Sequence, residues 1–208
     1  MDVNILSPKS AVANAFKEPS VSQALFLVVL AWIIPIIAQA IQGFGISISS
    51  EIFQLIFSAA RLFLGAAIIY AAAYLLKAEK AKGKFNAIVS AWSLVWVVSL
   101  AAAIIVFLLL PLAFAPSVVD PVKKFSNREI SIETLSASLS AALDSADSPV
   151  NFPVLAVLGI LGLALFALAF SIVYRIFKEI LGFRPIPVLA TEIAVLFAFF
   201  LITGFLGI

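Results

Sequence analysis

The sequence predicts an all-α fold, a polytopic membrane helical bundle of about five transmembrane helices, and three observations carry that prediction. Of 208 residues, 64% are hydrophobic and only 12% charged, and the mean hydropathy of +1.21 is far above what a soluble domain keeps in solution. The apolar residues fall in runs of roughly 20 or more, long enough to cross a hydrocarbon layer. The charges lie between the runs, most densely in Lys77-Ala-Glu-Lys-Ala-Lys-Gly-Lys-Phe85, where Lys77, Lys80, Lys82 and Lys84 form a basic loop. A tract this charged cannot enter hydrocarbon, and cationic loops stay preferentially on the cytoplasmic side, so it separates two spans and orients both.

Composition also excludes. Cysteine and histidine are both absent, which removes disulfides, thiol nucleophiles, imidazole bases and nearly all zinc or haem ligation. Gly83-Lys84 does not end a phosphate-binding loop, because Ala78 stands where that motif needs glycine and Phe85 where it needs Ser or Thr. No span carries the paired aspartates of an intramembrane aspartyl protease. The expectation is a protein that is not an enzyme, with no metal and no cofactor. A net charge of +2, with the basic residues beside spans, argues against nucleic acid. The expected partners are membrane lipids, further copies of the chain or other membrane proteins.

Residues 1–20 form a cytoplasmic N-terminal segment. Ser7-Pro8 reads as N-cap and first helical residue, and Pro19 as the stop. Val12, Ala15 and Phe16 fall on one face with Lys9 and Lys17 available to the other, which suits either a short amphipathic helix at the membrane surface or a plain linker. The segment has no cleavage pattern of a signal peptide, so the first span is expected to be retained.

That span covers about 21–44. Pro35 near its middle predicts a kink that faces protein, because the carbonyl it frees needs a partner; Gln39 and Gln42 follow toward the outer end. The second span, about 52–76, carries Arg61 and a string of small residues that permit close helix contact. At 1.5 Å per residue Arg61 lies roughly 15 Å from Glu51, near the bilayer centre. A central arginine costs about 2.5 to 3.5 kcal/mol on insertion scales, so it should point into the bundle, as a functional site or an interior polar clamp.

The third span covers about 86–115, with Trp92 and Trp96 one turn apart at headgroup level or against another helix. Residues 116–151 form an external loop of nearly balanced charge. Within it Ile132, Leu135, Leu139 and Leu143 recur every three or four residues, predicting a lid helix over about 131–145. The fourth span, about 152–177, has a small-residue face including Gly159 and Gly162 that is expected against the second span. Arg175, Lys178 and Arg184 return the chain to the cytoplasmic side, and a fifth span covers about 185–208. Glu192 lies roughly 10 Å inside that span whereas Arg61 is roughly 24 Å from the same boundary, so the two are not expected to pair; Glu192 is expected to reach the interface or a lysine there. Of 13 basic residues, this threading puts nine inside, three outside and Arg61 within a span, with the N-terminus cytoplasmic and the C-terminus external.

The layout and short motifs resemble the Yip-one domain family, small five-span membrane proteins related to Ypt/Rab-interacting proteins. Ser7-Pro8-Lys9, then Phe16 and Glu18-Pro19-Ser20 before the first span, are similar to that family's Pro-Lys and Glu-Glu-Pro-Ser region. Lys82-Gly83-Lys84-Phe85 is similar to its Gly-Lys-Gly-Ser-Phe loop between the second and third spans. The likeness covers most of the chain. It implies a non-enzymatic membrane scaffold or adaptor that organises membranes or takes part in trafficking-like processes. The long acidic, proline-rich region that eukaryotic members turn toward GTPases has no counterpart here, which puts Rab binding in doubt, and the resemblance implies a prokaryotic, archaeal-type member in the plasma membrane. The competing expectation is a small channel, transporter or subunit of a larger membrane complex using Arg61 and Glu192.

Overall fold

The computed structural model describes residues 7–76, 78–144, 149–181, 190–194 and 196–197. Lys77, Arg184 and most of the expected fifth span lie outside these residues. The described chain is all-α, with no strand among the described residues, and four of its helical segments are long and apolar enough to cross a membrane.

Helix α1 (Pro8–Lys17) starts where the Ser7-Pro8 pair predicts. Its apolar face does not lie open to a membrane surface: Ala11, Val12 and Ala15 are buried, packed against the later helices Phe85–Trp92 and Phe152–Leu181. Small side chains there let backbones approach closely, so this face fits a protein surface better than a lipid one. Helix α2 (Val21–Ile41) is capped by Ser20, whose hydroxyl accepts from the Gln23 N–H at 3.2 Å, and it continues through half-buried Pro35 without interruption. Helix α3 (Ile48–Leu75) begins four residues before the predicted span. Its buried residues Leu62, Ala66, Ile69 and Ala73 follow the 3–4 spacing of one helical face.

The predicted third span is two helices, α4 (Phe85–Trp92) and α5 (Leu94–Ala113), separated at Ser93. The Ser93 hydroxyl donates to the Ser90 carbonyl at 2.7 Å, and the Trp96 N–H turns back to the Ser93 carbonyl at 3.0 Å. A serine bonding back along its own helix competes with the regular ladder, which accounts for the break. Pro111 sits in the last turn of α5.

The segment between the third and fourth apolar runs contains one helix more than predicted. Helix α6 (Pro116–Ser126) precedes α7 (Ile132–Leu143), and the two pack on each other. Helix α6 ends with Arg128 in the left-handed region (φ 61), while the Arg128 and Glu129 N–H groups donate back to the Phe125 and Lys124 carbonyls at 2.9 and 2.8 Å. This double return closes the helix C-terminus. The excursion begins and ends at one point: the Ala115 N–H donates to the Pro149 carbonyl (2.9 Å) and the Asn151 N–H to the Ala113 carbonyl (2.8 Å). Helix α8 (Phe152–Leu181) then runs back through the bundle.

Packing is uneven along the bundle. Ile172, Val173, Ile176 and Phe177 of α8, most of α4, the buried face of α1 and the 3₁₀ turn Glu79–Ala81 converge with the second half of α3 at one end, called here the basic end. At the far end, toward α6 and α7, large apolar side chains of α2, α3, α5 and α8 are exposed, among them Phe53, Leu108, Ile160 and Leu163. Helix α8 lies mainly against α5 rather than α3, and a Cβ added at Gly159 or Gly162 would meet nothing within 4 Å. The small face of α8 is therefore open and does not pack on the second span as expected.

Candidate functional site

The residues with chemistry to offer are polar groups set among apolar helices, and they fall into three places. The first is the interior of α3. Arg61 precedes Gly65 and Ile69 on the helical stripe that faces the core, and its Nε is buried with no hydrogen-bond partner. One turn on, Gly65 admits the Trp92 ring: a Cβ there would collide with Nε1 and come within 2.6 Å of Cε2 of the indole. Of the two placements considered for Trp92, it is the helix contact that the fold uses, and Gly65 is small because Trp92 fills the space beside it.

The second place is Glu192. Its side chain is 0% exposed and both carboxylate oxygens lack a partner, so it does not reach an interface or a lysine as expected. An ionised group buried this way costs several kcal/mol unless a cation or donor accompanies it. Arg61 and Glu192 are not joined: the ion pair found among the described residues is Lys82 with Glu79, at 3.3 Å on the surface. Lys80, Lys82 and Lys84 are exposed around the basic turn, with Lys84 Nζ 6.0 Å from the Phe16 ring centroid. A half-open cavity of about 460 Å³ lies beside this turn, walled by Tyr70, Tyr74, Leu75 and Lys82.

The third place is the far end. Gln39 is exposed and carries no role in the interior, whereas Gln42 donates through Nε2 to the Phe107 carbonyl at 3.0 Å. Pro111 explains that bond. It stands four residues after Phe107 and has no N–H to give, so the Phe107 carbonyl is an orphan that Gln42 satisfies from α2. Nearby, the Trp32 indole N–H donates to the Glu51 carbonyl at 2.8 Å, tying α2 to α3. The turn between these helices is in turn held to α6: the Gly45 N–H donates to Ser126 Oγ at 3.0 Å and Asn127 Nδ2 to the Gly43 carbonyl at 3.3 Å. Gly45 permits the approach, since a Cβ there would collide with the Ser126 carbonyl oxygen.

Sequence reasoning passed over Ser90 and Ser93, which are 4% and 2% exposed. Ser90 Oγ accepts the Ser20 N–H at 3.4 Å and so joins the start of α2 to α4. The one available signal was two serines three residues apart in an otherwise apolar helix start. Among the described residues no group of three or more Asp or Glu side chains converges as a metal site would require. No protein-family model, no curated protein and no solved structure matches this chain.

Proposed function

We propose that this chain is a non-enzymatic integral membrane scaffold of Yip-like type, which associates through its membrane-embedded helices with a second copy or another membrane protein. The observation that carries the reading is the uneven packing. One end of the bundle has a closed core, while along α8 Gly159 and Gly162 stand open beside exposed Ile160, Leu163 and Phe166. Small residues that let another helix approach closely are the usual material of helix contacts in lipid, where apolar side chains alone give little preference for protein over acyl chains. Native mass measurement after extraction in mild detergent tests this. A discrete oligomer or stoichiometric partner is expected, and Gly162→Leu should dissociate it; a strictly monomeric protein in detergent and in lipid would sink the reading.

A second reading, a small channel, transporter or subunit of one, is favoured by the unpartnered Arg61 Nε and Glu192 carboxylate, since uncompensated ionisable groups inside a membrane tend to mark a path for ions or polar solutes. Ion flux into liposomes that is unchanged by Arg61→Leu and Glu192→Gln would remove its basis.

A further inference from the structure

At the far end, the end of α5, the turn after α2 and helix α6 enclose a half-open cavity of about 310 Å³, walled by Phe44, Leu110, Phe114, Val119 and Val122 with Lys123 at its rim. Its size falls at the lower edge of small-molecule sites, about 300 to 1,000 Å³. The cavity follows from the sequence. Pro111 removes one hydrogen bond from the last turn of α5, Phe114 leaves the helix in an extended conformation (φ −126, ψ 142), and Pro116 opens α6 beside the gap.

Helix α6 has no buried residue, although Val118, Val119, Val122 and Phe125 share one of its faces. Val122 and Phe125 remain 37% and 39% exposed. The other face carries Asp120 and Lys124, which line the separate groove toward α7. Lys123 is half-buried, with Nζ 5.8 Å from the Phe44 ring centroid, and it forms no ion pair with Asp120, Glu129 or any other carboxylate among the described residues. Leu110 of this wall is itself 42% exposed, so the cavity opens to what surrounds the bundle.

We propose that this cavity binds an anionic phospholipid, with one acyl chain lying in the cavity and the phosphate held by Lys123 Nζ at its mouth. The inference rests on the membrane-spanning reading of the bundle. An amphipathic helix with an apolar face and lysines beside it is suited to the interface between headgroups and acyl chains. The Lys123 stem packs on apolar surface while its ammonium stays at the mouth, free of a protein carboxylate. The open passage to the apolar side of α5 lets an acyl chain enter laterally. A free phosphate would have no use for these walls, and a neutral lipid none for the lysine.

The test uses the full chain, first checked for resistance to carbonate extraction from membranes. In detergent, native mass spectrometry then compares retention of phosphatidylglycerol with that of phosphatidylcholine, and a phosphatidylglycerol bearing a photoreactive acyl chain maps the site. Wild type should retain phosphatidylglycerol preferentially, with crosslinks in residues 110–123. Lys123→Gln should cut the preference about fivefold, the worth of one lysine at an anionic surface. Val119→Trp, which fills the cavity, should abolish the crosslinks for either lipid. Equal retention of the two lipids, a preference unchanged in Lys123→Gln, or crosslinks confined to residues 79–85 would overturn the proposal while leaving the membrane reading intact. Release by carbonate would overturn both.

Discussion

At the end of α5, Pro111 deprives the Phe107 carbonyl of its helical donor and the Gln42 amide supplies another at 3.0 Å. Two residues far apart in the chain are thereby coupled through one oxygen, and the coupling can be measured. Gln42→Leu should lower stability by about 0.5 to 2 kcal/mol, the range for a lost interhelical bond that leaves a polar group unpaired. In a Pro111→Ala background the backbone N–H gained at position 111 can return to the Phe107 carbonyl, and the same substitution should then cost well under half as much. Reversible unfolding in mixed micelles reads both values, and equal losses in the two backgrounds would show that Gln42 acts otherwise. Gln39, three residues earlier, has the same side chain and is exposed.

Among the elements, α7 is the one whose stability should respond to mild acid. Its N-cap Ser131 accepts the Thr134 N–H at 3.3 Å, and Glu133 stands in the first turn. The Ser131 side-chain hydrogen bond, with a smaller contribution from the Glu133 backbone N–H, holds the Glu133 carboxyl below its ordinary value of 4.5. A depressed carboxylate stabilises the folded helix above its unfolded value and loses that contribution as pH falls through the folded one. The start of α7 should therefore fray at and below about pH 4.5, seen as faster amide exchange at Glu133–Leu135 relative to α8. Glu133→Gln should remove the pH dependence; a variant that frays with the same midpoint would assign it to another group. The lid helix itself was visible in the spacing of Ile132, Leu135, Leu139 and Leu143, yet Ile132 and Leu143 remain 63% and 66% exposed, because α7 rests on α6 with only part of that stripe.

The buried core gathers at the basic end while the far end leaves large apolar side chains exposed, and the surfaces of the far end make sense in lipid. Exposed side chains such as Phe53 (60%), Leu108 (60%) and Leu163 (71%) would be an aggregation liability in water. One membrane-length segment, Phe85–Ala113, separates the basic turn from the α6–α7 hairpin. The membrane-spanning reading therefore predicts that the two lie on opposite sides of a membrane. Since the chain has no cysteine of its own, Lys80→Cys and Ser136→Cys report this directly. In intact cells a membrane-impermeant maleimide should label the Ser136 variant, and the Lys80 variant only after lysis. Labelling of both before lysis would refute the threading.

Composition and run length were enough to predict the four helical segments long and apolar enough to cross a membrane, because a bilayer accepts only backbones whose hydrogen bonds are closed within the segment. The same information placed the basic turn, the N-cap of α1 and the periodic stripe of α7, each of which depends on neighbours within a few residues. It did not reveal which faces of α2, α5 and α8 are inside. These helices are apolar all round, and a lipid tail is as apolar as a protein core, so the pattern carries no inside–outside signal. That choice fell to the fit between distant parts: Trp92 against Gly65, Gln42 against the carbonyl left by Pro111, α1 against α4 and α8 rather than a membrane surface. The burial of Glu192 without a partner belongs to the same class, because a carboxylate's surroundings are set by helices that its own sequence neighbourhood does not describe.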